Sequence, residues 1–129
     1  MDNLIALVHQ YQAAAYSGDV AAAGEFLSDQ VTLTLAGNNQ LSGVYLGGDA
    51  FFGAFGRMME ITAGTYRLAQ EYDSFSSPTR AVFLVQEQAT RDGHDYVYDR
   101  VVEFIFDGPR ILAVRVYEGN PEVVDVLFK

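Results

Sequence analysis

The chain reads as an α+β domain: helical periodicity dominates its first half and strand periodicity its second. Three observations carry that reading. Apolar residues among the first 60 positions recur mainly at helical spacing, runs rich in Val, Phe, Tyr, Leu and Ile follow from Thr65, and turn residues punctuate those runs. A curved, mostly antiparallel sheet with helices folded across one face satisfies this order. At 129 residues there is enough chain for one domain, spanning 1–129, and too little for two.

Residues 3–17 predict the first helix, with Leu4, Ile5, Val8, Tyr11, Gln12 and Ala15 close to one face. Gly18 supplies a left-handed stop, and Asp19 caps a second short helix running to about Leu27. Val31, Leu33 and Leu35 alternate with Thr32 and Thr34 as a short strand. Gly47-Gly48-Asp49 introduces a third helix with Asp49 as N-cap; its apolar stripe is Phe51, Phe55, Met58 and Met59, with Phe52 beside it. Strands follow over 65–75, 79–90, 95–107 and 110–118. Asp92-Gly93 is a hairpin turn, and Asp107-Gly108-Pro109 makes the next. The tail from Asn120-Pro121 carries Val123, Val124, Val126 and Leu127 and packs back as a short helix.

Composition narrows the function. Half the residues are hydrophobic and 19% are charged, which builds a core rather than a disordered chain. Eight Lys plus Arg against 17 Asp plus Glu give a net charge of -9, and no basic run offsets it, so nucleic acid is not an expected partner. No apolar stretch reaches the ~18 residues of a spanning helix, and no basic region precedes an N-terminal apolar run, so no membrane partner is expected. The absence of cysteine removes disulfides, thiolate nucleophiles and thiolate metal sites. His9 and His94 are too few for most zinc sites. The expectation is a cytoplasmic protein with neither metal nor cofactor.

Four segments resemble the SnoaL-like and ketosteroid-isomerase-like branch of the nuclear-transport-factor-2-like superfamily. They are Tyr11 to Val20 at the first helix junction, Phe26 to Leu33 leading into the first strand, Gly43 to Phe52 before the third helix, and Asp107 to Tyr117 in the last hairpin. The resemblance implies a cone: a strongly bent sheet around an apolar cavity, with N-terminal helices packed across its concave face and dimers formed through its outer face. Function does not travel with the fold, because the superfamily hosts isomerases, cyclases, dehydratases, epoxide hydrolases and binding modules. Ketosteroid isomerases use an Asp base with a Tyr and a protonated Asp as oxyanion hole. Tyr11 matches the tyrosine, but Leu35 matches the base and Val102 the protonated Asp. Val116 stands where related cyclases carry an aspartate.

Strand alternation offers a different polar set. The resemblance places Val102, Phe104 and Phe106 on the cavity side, and by period two Tyr98 and Arg100 lie on that side as well. A two-residue Asp92-Gly93 turn pairs Glu87 with Tyr98 and Val85 with Arg100. A three-residue turn pairing Asp107 with Ile111 sets Phe104 opposite Val114, Val102 opposite Val116 and Arg100 opposite Glu118. Glu87, Tyr98, Arg100 and Glu118 therefore form the candidate catalytic set. Arg100 would stabilise developing negative charge, Glu118 or Glu87 would act as acid or base, and Tyr98 and Tyr11 would donate hydrogen bonds. A structural ion pair satisfying Arg100 where the cone opens is the competing reading of the same residues. Tyr11, Phe52, Phe55, Phe83, Val85, Val102, Phe104 and Val116 are the expected substrate-binding wall. Arg115 and Tyr117 fall on the outer face with Val101, Glu103 and Ile105, a surface suited to a homodimer.

Two function classes follow. One is a cofactor-independent isomerase, cyclase or hydratase that moves protons on a small apolar carbonyl or polyketide-like substrate. The other is a non-catalytic module that binds a small hydrophobic ligand or dimerises.

Overall fold

The computed structural model describes residues 3–129. Helix α1 (Leu4–Tyr16) starts at Asn3, whose side chain accepts the Ala6 N–H at 3.1 Å. It stops at Ser17-Gly18, where Gly18 adopts φ +84. Helix α2 (Val20–Gly24) is capped by Asp19, which accepts the Ala22 N–H. It ends earlier than the sequence reading because the chain is already extended at Leu27. Strand β1 (Leu27–Leu35) is correspondingly longer than Val31–Leu35. The cause is long-range: Leu27 pairs with Ile111, and the Ile111 N–H donates to the Phe26 carbonyl.

Strand β2 (Gly43–Leu46) occupies what the sequence presents only as the approach to a helix. Its four residues show no buried/exposed alternation, so periodicity carries no signal for it. Helix α3 (Gly48–Ile61) has Gly47 as its N-cap rather than Asp49. Asp49 lies in the first turn, where its charge favours the helix dipole. Strands β3 (Arg67–Ser76), β4 (Arg80–Arg91), β5 (His94–Asp107) and β6 (Arg110–Glu118) follow, then α4 (Pro121–Leu127).

The six strands form one sheet in the order β2-β1-β6-β5-β4-β3. Among the described residues, only the β1–β6 pair is parallel. Asp92 and Gly93 take φ 52 and 78, the backbone a tight hairpin turn needs, and the turn fixes Glu87 opposite Tyr98 and Val85 opposite Arg100. The last hairpin differs in detail from the sequence reading. Asp107 pairs with Arg110 across Gly108-Pro109, a two-residue turn, and Phe106 pairs with Ile111. One extra residue in β6, Leu112, then shifts the register, so Phe104 still faces Val114, Val102 faces Val116 and Arg100 faces Glu118. Similar bulges at Ala69 and Tyr72 in β3 help bend the sheet.

The bent sheet presents its concave face to α1 and α3. Leu4, Val8 and Tyr11 from α1 and Phe51 and Ala54 from α3 pack on Val31, Leu33, Phe83, Phe104 and Val114. A second cluster forms where α4 turns back, with Val124, Leu127 and Phe128 against Leu41, Met58, Tyr66, Ala89 and Tyr98. Arg91 anchors that tail, its Nη1 donating to the carbonyls of Leu127 at 2.7 Å and Lys129 at 3.0 Å. Between the two clusters the helices do not fill the cone.

Candidate functional site

The unfilled space is a cavity of about 130 Å³. Tyr11, Gln12, Ala15 and Tyr16 of α1 and Phe51, Ala54, Phe55 and Met58 of α3 form one side. Leu33, Leu35, Val102, Phe104, Val114 and Val116 form the sheet side, with Glu87 and Arg100 as its only charged lining groups among the described residues. The volume is below the ~300 Å³ that begins the usual range of ligand pockets. It is close to the ~150 Å³ of an apolar cavity that admits benzene. Aromatic packing accounts for the shortfall: Tyr11 lies edge-on to Phe51 and to Phe104, each at 6.3 Å between ring centroids.

Arg100 is the centre of the polar wall. It is 7% exposed, on the middle strand of three, with a carboxylate delivered by each neighbour. From β6, Glu118 accepts Nε–H at 2.7 Å and Nη2–H at 2.8 Å, a bidentate pair. From β4, Glu87, itself 4% exposed, accepts Nη1–H at 2.9 Å through Oε1 only. Three of the five guanidinium N–H groups are thereby used, and one remains on each terminal nitrogen. One cation against two carboxylates leaves one negative charge in excess. Burial alone would lower the Arg100 pKa, but Glu87 and Glu118 outweigh it and hold the guanidinium above its ordinary value. Burial raises the Glu118 pKa above its ordinary 4.5; Arg100 opposes that rise and the Glu87 charge adds to it.

The sequence-derived candidates separate into two groups. Tyr11, Phe55, Glu87, Arg100, Val102, Phe104 and Val116 come together at the cavity. Glu118 is paired with Arg100 but does not line it. Tyr98 is also off the cavity, contrary to its expected role as a donor to substrate. It belongs to the cluster under α4, its ring 5.0 Å from the Arg100 guanidinium carbon and its hydroxyl buried without a partner among the described residues. Phe83 and Val85 share the predicted face but lie in the core outside the cavity lining, with Phe83 packed edge-on to His9 at 5.6 Å. Phe52 turns away toward Gly24 and lines a separate surface groove with Asp29 and Asp49.

Tyr16, Tyr66 and Gln12 complete the wall, and none was a candidate from sequence. Tyr16 is 44% exposed at the cavity edge and stacks on Tyr66, with Phe55 edge-on to both. His9 Nε2 hydrogen-bonds Glu71 Oε1 at 3.0 Å.

Solved structures superpose on this architecture over nearly its whole length. Bal32a, from a soil-derived mobile gene cassette, is 22% identical and aligns 98% of this chain with 96% of its own at a TM-score of 0.91. A nuclear-transport-factor-2-like protein of unknown function from Burkholderia pseudomallei is 20% identical, covering 100% and 99% at 0.85. The fold is nuclear-transport-factor-2-like. TerC, co-crystallised with polyporic acid, is 14% identical and covers 99% and 100% at 0.84. No family model and no curated protein matches the sequence. Within this nuclear-transport-factor-2-like cone, Leu35 and Val102 both line the cavity as hydrocarbons. Among the described residues, no group of three or more His, Cys, Asp or Glu is placed to hold a metal ion.

Two predictions follow from the charge arrangement. Arg100→Met leaves two carboxylates buried without a counter-charge, and urea unfolding at pH 7 should show a loss of about 3–5 kcal/mol. Adding Glu87→Gln and Glu118→Gln to that variant should restore most of it. The second concerns pH. Glu118 holds its proton more tightly folded than unfolded, so its stabilising contribution is complete below pH 4.5 and is lost as pH rises through the folded value. The difference in thermal midpoint between wild type and Glu118→Gln should therefore move in favour of wild type as pH falls from 7 to 4.5.

Proposed function

We propose that the cavity binds a small apolar carbonyl compound and moves a proton on it without a cofactor, as an isomerase, cyclase or hydratase would. The observation that carries this reading is the Glu87–Arg100 pair set into an otherwise largely apolar wall. The substrate oxygen accepts a spare N–H of Arg100, which stabilises the negative charge that develops when the adjacent carbon loses its proton. Glu87 takes that proton through Oε2, since only Oε1 is committed to Arg100. Glu118 is a positioning residue, because its two-point contact fixes the guanidinium plane. The co-crystallisation of TerC with polyporic acid supports small-molecule binding by this fold.

Leu35 and Val102 favour a second reading. At the positions that resemble an isomerase's two acids this chain carries hydrocarbon, which fits a ligand-binding module without turnover. Deuterium exchange at the α-carbons of cyclohexanone, followed by proton NMR, separates the two. On the catalytic reading the protein accelerates exchange and Glu87→Gln reduces that acceleration by about 10²–10⁴-fold. Exchange at the buffer rate with retained binding selects the module.

We also propose a homodimer through the outer sheet face. Glu103 on it is paired within the chain, with Arg80 Nη1 at 2.6 Å from its Oε2 and the Tyr117 hydroxyl donating to its Oε1 at 3.3 Å. Phe75 and Tyr117 stand 56% and 49% exposed on it, beside Leu84 and Val101. No described helix is long and apolar enough to cross a membrane, and the lack of cysteine fits the cytoplasm. Sedimentation should show a dimer that Leu84→Glu converts to monomer.

A further inference from the structure

The charge balance of the cavity also bears on which ligands it admits, an inference that rests on reading the cavity as a ligand site. Arg100 is its only cation among the described residues, and that charge is already matched by Glu118, which lies off the cavity wall. Glu87 is the excess anion, and it is the carboxylate at the wall. A ligand carboxylate would bring a third anion to one guanidinium in a largely apolar site, and the spare Arg100 N–H groups would not repay its desolvation and its repulsion from Glu87. A hydroxyl, an amine N–H or an ammonium would instead meet the oxygen of Glu87 that Arg100 does not use.

We propose that the cavity admits uncharged or cationic compounds of about one ring in size, favours among them those that carry a hydrogen-bond donor, and rejects carboxylates, and that Glu87 sets this preference. Size follows from the cavity of about 130 Å³, close to the ~150 Å³ known to take benzene. Sign follows from the uncompensated carboxylate. Glu87→Gln leaves Arg100 and Glu118 as a neutral pair, and the glutamine carbonyl keeps the Nη1 contact, so the substitution changes the charge of the wall while preserving its shape.

Four one-ring probes test this with the 129-residue chain at pH 7: toluene, phenol, benzylamine and benzoate, with dissociation constants from ligand-observed NMR. In wild type, phenol and benzylamine should bind about tenfold or more tightly than toluene, the scale of a hydrogen bond to a charged group. Benzoate should bind more weakly than toluene by a similar factor. In Glu87→Gln the benzylamine advantage should vanish and benzoate should rise to the toluene level or above. Glu118→Gln leaves Glu87 and Arg100 as a neutral pair, so benzylamine should lose most of its advantage there too, while phenol, which needs only the unused oxygen of Glu87, keeps its own. Benzoate equal to or tighter than toluene in wild type overturns the proposal while leaving the cavity a ligand site. An unchanged order in Glu87→Gln overturns the role of Glu87. If none of the four binds, the ligand-site reading falls and the proposal with it. Should Glu87→Gln fail to fold, the wild-type order and Glu118→Gln still decide.

Discussion

A guanidinium buried among phenylalanines and valines needs anions within hydrogen-bond reach, and the placement of Arg100 imposes that need on two neighbouring strands. Glu118 and Glu87 meet it from opposite sides, one with two oxygens and one with a single oxygen. The asymmetry matters more than the pairing. Full use of Glu118 locks the guanidinium, while partial use of Glu87 leaves both an oxygen and a negative charge at the edge of an apolar space. A symmetric pair would have been a closed ionic lock with nothing to offer a ligand.

The fold supplies this geometry through register. Side chains on β4, β5 and β6 reach the concave face only on alternate residues, so a slip by one position would send Arg100 outward and bring Asp99 or Val101 in. Two local devices prevent it. The left-handed Asp92-Gly93 turn fixes β4 against β5, and the tight Gly108-Pro109 turn with its bulge at Leu112 fixes β5 against β6. Helices α1 and α3 then cover the face without filling it, because their aromatic residues pack edge-on and leave the space beside Glu87 open. The tail helix α4 seals the other end over Tyr98 and Tyr66.

What sequence could and could not show divides along the same lines. Glu87, Arg100 and Glu118 were legible because strand alternation and one turn of known length determine which residues face each other. The Gly108-Pro109 turn was misread by one residue, yet the bulge at Leu112 compensates, so the pairing nearer the site was unaffected. Residues whose placement depends on long-range packing were not legible. Tyr98 has the predicted parity but lies under α4, and the Leu127 and Phe128 that cover it are remote in sequence. Phe52 and Phe51 are adjacent on one helix, and their side chains part company, one toward α2 and one toward the cavity. Tyr66 precedes β3 and so belongs to no alternating pattern. Strand β2 gave no signal because it is short and mostly exposed at the sheet edge.

Everything above depends on Arg100 being held, charged and away from water, between two strands' carboxylates beside the cavity. Nitrogen-15 NMR of the Arg100 side chain at neutral pH tests it directly. A resolved Nε–H signal that exchanges slowly with water is expected, surviving in Glu87→Gln and lost in Glu118→Ala, which removes the acceptor. A rapidly exchanging Nε–H in the folded wild-type protein would instead show a solvated arginine that the two carboxylates do not hold.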